Sequence, residues 1–250
     1  MFTNWLVPRR DFDEAIVEMM DRPQPVSAEL EVDLENLRKL NRFFGSYALV
    51  RYFLRRWFRT GTSVRVIDLC TGFGDIPRFT VDWCRTHNVE VQITAVDSQR
   101  ATLELAANRS RSYPEITFVA SNVFEFKQPV PADFVFCSLA LHHFADDRAR
   151  LLLQRVRALA TRGILIADLE RSDLGIIGID LLTCFVYREP MTRYDARLSF
   201  RRAFSFSEMR EIAANAGWER FGHRRFPVSR QAVWLEELKT GPFPARLANQ

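Results

Sequence analysis

The hydrophobic rhythm of the chain changes near Gly61. Before it, Leu30, Leu34, Leu37 and Leu40 recur on one face, the spacing of an amphipathic helix. Ser27, just after Pro23 and Pro25, stands where an N-cap belongs. Glu29, Glu31, Asp33 and Glu35 come early, and Arg38, Lys39 and Arg42 late, an order that complements the helix dipole. Phe43-Phe44-Gly45 ends this helix, and Ser46 is placed to cap a second whose face carries Leu49, Val50, Phe53, Leu54 and Trp57.

Beyond Gly61 short apolar runs alternate with helical patterns. Strand-like runs are Val64 to Leu69, Val91 to Val96, Ile116 to Ala120, Phe134 to Ser138 and Ile164 to Leu169. Helical segments lie between most of them, at about 76–87, 100–108 and 146–161, with Gly163 ending the last and opening the fifth strand. That alternation predicts an α/β fold with a parallel, doubly wound sheet. The last third is less regular. Leu174 to Tyr187 reads as an apolar helix packed near the sheet, and Ser205-Phe206-Ser207-Glu208 as a capping box before a helix that Gly217 stops. Glu219 to Pro227 and Gln231 to Leu235 read as an antiparallel hairpin at the end of the sheet.

Composition narrows the function. The chain has 250 residues, 47% hydrophobic and 12% aromatic, with 21 Phe, enough for a sizeable core. The net charge is +4, and all the basic residues but Lys39, Lys127 and Lys239 are arginine. They form short pairs among 31 acids rather than a basic block, so a mixed solvated surface is expected and not nucleic-acid binding. Cys70, Cys84, Cys137 and Cys184 have no C-x-x-C spacing, and no metal site is expected from them. No apolar run reaches the ~20 residues of a membrane span, and Met1 to Arg10 lacks a signal-peptide core. A soluble cytoplasmic protein is the expectation.

The first strand runs into Asp68-Leu69-Cys70-Thr71-Gly72-Phe73-Gly74-Asp75. A glycine-bearing turn between a parallel strand and a helix lets the backbone approach a ligand closely. The spacing is not G-x-G-x-x-G, and Asp75 would set a negative charge against a pyrophosphate, so NAD and FAD are disfavoured. The second strand ends at Asp97, placed to bind ribose hydroxyls. Two carboxylates, Asp68 and Asp97, suit a ligand that carries a ribose and an ammonium.

This constellation resembles the class I S-adenosylmethionine-dependent methyltransferases, whose first motif is an acid followed by G-x-G-x-G at the end of the first strand. Cys70 stands where the first of those glycines usually does. Val66-Ile67-Asp68 and Gly72-x-Gly74-Asp75-Ile76 look most like the quinone-methylating branch. The resemblance runs over residues 62–170. It implies a mostly parallel seven-stranded sheet with an antiparallel last hairpin, a helical lid over residues 1–60, a methyltransferase domain over 61–240 and a tail over 241–250. It implies S-adenosylmethionine as cofactor, held by Asp68, Thr71, Gly72 and Gly74 at the first strand and by Asp97 and Ser98 at the second. Asn122 and Val123 match the adenine turn, and Ser138 and Leu139 the fourth strand under the methionine part.

Leu141-His142-His143-Phe144 resembles the Leu-His-Asp-Trp stretch of small-molecule O-methyltransferases, with His142 at the position of the general base and His143 at that of the Asp. An imidazole is suited to deprotonating a phenol near neutral pH. Phe43, Phe44 and Tyr47 in the lid, and Phe185, Phe200, Phe204 and Phe206 after the fifth strand, suggest an aromatic, apolar acceptor pocket. Arg188, Arg193, Arg197, Arg201 and Arg202 could instead serve an acidic acceptor or form a solvated face. No Asn-Pro-Pro-Tyr-type segment follows the fourth strand, which argues against methylation of DNA bases. The expected activity is methylation of a small aromatic or lipid-like acceptor, on oxygen. The alternatives are C-methylation of a quinone-like acceptor and a non-catalytic S-adenosylmethionine-binding partner protein.

Overall fold

A computed structural model describes residues 7–236. The expected tail over 241–250, and the last residues of the expected 61–240 domain, lie outside the described residues.

The N-terminal region holds α1 (Ala28–Phe43) and α2 (Ser46–Trp57). Ser27 caps α1 by accepting from the Leu30 N–H. Ser46 does not cap α2. Gly45, in the left-handed region, makes the junction, and the Ser46 hydroxyl instead accepts from Arg230. The sheet then builds as β1 (Ser63–Leu69), α3 (Asp75–Thr86), β2 (Glu90–Asp97), α4 (Arg100–Arg109), β3 (Ile116–Ala120), β4 (Ala132–Ser138), α5 (Asp146–Val156) and β5 (Ala160–Leu169). After β5 come α6 (Asp173–Phe185), α7 (Pro190–Arg202), α8 (Phe206–Asn215), β6 (Gly222–Phe226) and β7 (Arg230–Glu236).

The seven strands form one sheet in the order β3-β2-β1-β4-β5-β7-β6. The first five are mutually parallel, and β7 is antiparallel to both β5 and β6. The doubly wound α/β sheet and its antiparallel ending are therefore as the sequence predicts. The strand order reverses between β1 and β4, so their carboxyl ends open a crevice where such sheets bind ligands.

Helices cover both faces. On one, Leu152 and Val156 of α5 and Met209 and Ile212 of α8 pack on Ile67, Val135 and Ile164. On the other, Phe53, Leu54 and Trp57 of α2 and Val81 and Cys84 of α3 pack on Val66, Phe134 and Phe136. Thus α2 belongs to the core of the sheet, while α1 and the segment before it reach over the crevice. Much of the Phe excess serves this second face: Trp57 stacks on Phe134 with ring centroids 5.2 Å apart, and Phe58 lies at 5.2 Å on the same ring.

One local expectation needs correction, and one helix was not anticipated. The helix expected to run to residue 161 ends at Val156, and β5 begins at Ala160, so Gly163 lies inside the strand. Its glycine is needed for space: a Cβ there would meet Cδ1 of Phe134 at 3.0 Å. The segment 190–202, which carries no clear apolar stripe, is the helix α7. It is started by Pro190 in its first turn and by the Glu189 carboxylate, which accepts from the N–H groups of Met191 and Thr192.

Because Trp57 and Phe58 hold the Phe134 ring, it cannot yield to a new methyl group. Gly163→Ala is expected to lower unfolding stability by about 1–3 kcal/mol, read as a shifted urea midpoint at unchanged slope.

Candidate functional site

The crevice is a cavity of about 850 Å³, toward the upper end of ligand pockets. Its floor is the row of carboxyl ends of β3, β2, β1, β4 and β5. Its roof comes from the segment before α1, from α1, and from α6 and α7.

At the end of β1 the chain turns sharply. Cys70, Gly72 and Gly74 have φ of 55°, 52° and 68°. The left-handed position of Cys70 explains why a glycine would sit there comfortably. The Cys70 thiol is held beside Cys137, which together with burial keeps it well above the usual thiol range. Thr71 and Gly72 line the cavity, whereas Gly74 does not. Gly74 instead precedes α3, where a Cβ would stand 3.1 Å from the Phe118 ring.

Asp68 is buried beneath this turn. Its Oδ2 accepts from the Thr71 hydroxyl at 2.6 Å, while Oδ1 has no partner among the described residues. Burial pushes its carboxyl up to about 7, with the Thr71 hydrogen bond opposing and Asp75 and Asp97 adding to the rise. Asp97 is also raised by burial. Its two oxygens accept from the Gly72 and Gln99 N–H groups at 2.8 and 2.9 Å, so it clamps the β1 turn to the start of α4. Ser98, beside it, lines the cavity. At β3, Asn122 and Val123 line the same space. The Asn122 Oδ1, expected to be free for an adenine amino group, accepts from the Phe124 N–H at 2.9 Å. At β4, Ser138 and Leu139 line the wall, and the buried Ser138 hydroxyl has no partner among the described residues.

The two histidines sit in the 3-10 turn Leu141–His143 after β4. His142 is buried, and its Nδ1 lies 2.6 Å from Oδ1 of Asp168 at the end of β5. Burial lowers its pKa against the pull of Asp168. His143 is half-buried, with Nδ1 2.7 Å from Oδ2 of Asp21. Burial disfavours its charge, but Glu18 and Asp21 outweigh that and raise its pKa well above the usual value. Glu18 is buried between the rings, with Oε1 at 3.7 Å from Nε2 of His142 and 3.8 Å from Nε2 of His143. Burial pushes Glu18 up to about 7, against His143.

Glu18, Asp21, Asp168 and Arg230 escaped the sequence reading. Asp168 stands one residue before the end of its strand, as Asp68 does, and Asp97 ends its own, which is a usable signal. Glu18 and Asp21 lie more than a hundred residues from the histidines and carry no local motif. The segment that bears them is pinned at several points: the Asp21 carbonyl accepts from Gln99, Glu18 accepts from the Ser199 hydroxyl, and Asp195 accepts from the N–H groups of Met19 and Met20. Asn41 of α1 also donates to Asp75.

The acceptor-side expectations hold in part. Phe44, Phe185 and Phe200 line the cavity, joined by Leu174 and Leu181 of α6. Phe43 is 70% exposed and points to solvent. Tyr47 stacks on Phe79, Phe204 lies under the Arg10 guanidinium, and Phe206 stacks on His223. Arg197 and Arg201 pair with Asp180, and Arg202 donates to the carbonyls of Asp13 and Ile16. None of the five arginines from Arg188 to Arg202 lines the cavity, so they are not placed for an acidic acceptor.

Because Asp97 satisfies two backbone N–H groups, Asp97→Ala is expected to cost about 1–3 kcal/mol of stability even without ligand, measurable by chemical denaturation.

Among known proteins, residues 66–163 match the family described as "Methyltransferase domain". No curated protein sequence matches the chain. Solved structures with the same fold include the plantazolicin methyltransferase BpumL in complex with a substrate analogue and S-adenosylhomocysteine. It is 14% identical, with 84% of this chain and 90% of that one covered and a TM-score of 0.61. Human N-acetylserotonin methyltransferase in complex with S-adenosylmethionine is 18% identical, covering 84% of this chain and 56% of that one at a TM-score of 0.58. The CMeT domain of the citrinin polyketide synthase is 11% identical, covering 77% and 51% at 0.57. No helix of the described residues is long and apolar enough to cross a membrane. Residues 66–163 thus match a methyltransferase domain, and the chain has the fold of the class I S-adenosylmethionine-dependent methyltransferases.

Proposed function

We propose that this methyltransferase acts on an oxygen of a small, apolar acceptor of aromatic or lipid-like character. The observation that carries the reading is one continuous cavity. It joins Asp97 and Asn122 at one end to the imidazole pair and an apolar arm from α6 at the other.

The residues at the β1–β3 end suit S-adenosylmethionine. Asp68 Oδ1 and the Ser138 hydroxyl are buried polar atoms with no partner among the described residues, and a buried polar group needs one. An ammonium and a carboxylate of an amino acid would satisfy them. Asp97 and Ser98 would take the ribose, and Asn122 and Val123 the adenine edge. When bound, S-adenosylmethionine supplies a methyl group on a positively charged sulfur, poised for in-line attack.

The chain's own part is positioning and proton handling. Asp168 holds the His142 proton on Nδ1, which leaves Nε2 as a lone pair facing the cavity. That lone pair is suited to take a proton from the acceptor's hydroxyl. Asp21 orients the His143 ring through Nδ1 and, with Glu18, favours its protonated form. Leu174, Leu181, Phe185 and Phe200 give the acceptor a dry seat that excludes competing water. The segment before α1 and α1 itself act as the lid, since Glu18, Asp21 and Asn41 tie them to the floor. A surface on which arginines are mixed with acids fits a small acceptor and not nucleic acid.

The test is transfer of labelled methyl to a panel of phenols, quinols and hydroxylated lipids, with product analysis to separate O- from C-methylation. Oxygen-linked product is expected. Carbon-linked product would replace the oxygen reading, and tight cofactor binding with no product across the panel would favour a binding partner. His142→Ala is expected to lower turnover by about 10²–10⁴-fold, and full activity would sink its role as base.

The raised pKa of Asp68 sets a pH dependence. Burial lifts its folded value above the unfolded one. Ionisation therefore costs the empty fold stability as pH climbs from the ordinary carboxylate value toward about 7. A facing ammonium offsets that cost, so affinity for S-adenosylhomocysteine should rise between about pH 6 and pH 7. Calorimetric titration should find this rise flattened in Asp68→Asn.

A further inference from the structure

We propose that Glu18, His142 and His143 form a binding site for a divalent transition ion of the zinc type, set in the acceptor end of the cavity. The ligand atoms are Oε1 of Glu18 and Nε2 of each histidine. They all lie within 4.8 Å of one another, and the carboxylate oxygen stands 3.7 and 3.8 Å from the two nitrogens. Those distances are too long for hydrogen bonds. An ion bound at about 2.0–2.2 Å would hold such atoms roughly 3.3 Å apart at tetrahedral angles, so the carboxylate oxygen must close on each nitrogen by about half an ångström, and the two nitrogens must draw together from within 4.8 Å.

The surroundings are those of a built metal site. A metal-ligating histidine almost always donates its other ring N–H to a carboxylate, a backbone carbonyl or water, which fixes ring and tautomer. Both histidines meet this condition, His142 with Asp168 and His143 with Asp21, at 2.6 and 2.7 Å. Once His143 gives up the proton that Glu18 and Asp21 favour, each histidine can turn a free Nε2 toward the same carboxylate. Two imidazoles and one carboxylate are a known donor set for zinc, and for ferrous iron.

Charge points the same way. Glu18, Asp168 and Asp195 are buried, and Asp21 is held against His143. The nearby Arg10 guanidinium is occupied by the carbonyls of His142 and Phe144 and by Asp146. Glu18 accepts a hydrogen bond from the Ser199 hydroxyl, and a divalent ion between it and the imidazoles would further offset the cost of burying its charge.

All three ligands line the cavity, so the remaining coordination position faces the place where the acceptor sits. An acceptor hydroxyl bound there would ionise more readily, its proton passing to water. His142 would then serve as a ligand in place of a proton acceptor. This role rests on the acceptor reading above, whereas ion binding itself does not. No local motif announces the site, because adjacent histidines with a third ligand 124 residues earlier match no recognised ligand spacing.

The test uses the full chain freed of metal by a chelator, titrated with Zn²⁺ against a chromophoric competitor and with Co²⁺ by visible absorption. One ion per chain is expected, with the intense d–d bands of four- or five-coordinate Co²⁺, and added Zn²⁺ should raise the melting temperature. Glu18→Gln and His143→Gln should each weaken Zn²⁺ binding by more than about 100-fold, and Asp21→Asn by about 10–100-fold. Circular dichroism reports whether each variant folds; for one that does not, the Co²⁺ spectrum of the unaltered chain decides. Absence of those bands, or Zn²⁺ affinity unchanged in folded Glu18→Gln and His143→Gln, overturns the proposal. No cofactor or acceptor enters this titration, so its failure leaves the methyl-transfer reading standing, and failure to find an acceptor leaves the ion site standing.

Discussion

Asp168 is wholly buried at the end of β5, and its carboxylate accepts from the backbone N–H of His142, from the His142 ring and from the Leu169 N–H. His142 and these hydrogen bonds outweigh the cost of burial and hold the carboxyl below its usual range. Charge-assisted bonds of this kind are about twice as strong as neutral ones. Through them one strand end fixes the loop after the neighbouring strand. The same bonds decide which nitrogen of His142 faces the cavity. Without Asp168 the loop after β4 would keep the Leu139 N–H to Ala167 carbonyl bond but lose its side-chain anchor to the sheet, and nothing would hold the imidazole with Nε2 presented.

The rest of the site is assembled around that point from opposite ends of the chain. The sheet supplies a rigid floor, with Asp68 and Asp97 at the carboxyl ends of adjacent parallel strands. The roof is contributed by the residues before α1 and by α6 and α7, which contact each other more than they contact the sheet. Polar ties carry the closure: Asp195 to Met19 and Met20, Ser199 to Glu18, Gln99 to Asp21. An apolar, covered chamber results, in which each carboxylate interacts strongly with its neighbours because little water screens it. That is why so many acids at this site are displaced from their ordinary pKa values.

The order of legibility follows from how local each signal is. Short apolar runs placed β1, β2 and β4, and the Ser205 capping box placed α8, since these depend on residues a few positions apart. The motif acids Asp68 and Asp97 were visible because strand ends are recurrent ligand sites. Asn122 was found, but its Oδ1 serves its own turn, which no residue type could announce. Gly163 was misread as a helix stop because its true constraint, the Phe134 ring, lies on another strand. Phe43 and Phe44 look alike in sequence, yet one faces water and the other the cavity, a choice set by where α1 ends. Glu18 and Asp21 were illegible for the strongest reason: their meaning comes entirely from the histidines they meet in space.

The most direct measurement is a crystal structure of the chain with S-adenosylhomocysteine bound. The account predicts the ribose against Asp97, the amino group against Asp68, and the sulfur turned toward the space in front of His142 and His143, with the apolar chamber of α6 beyond it. A ligand seated with its adenine at the histidines, or bound outside this crevice, would contradict it.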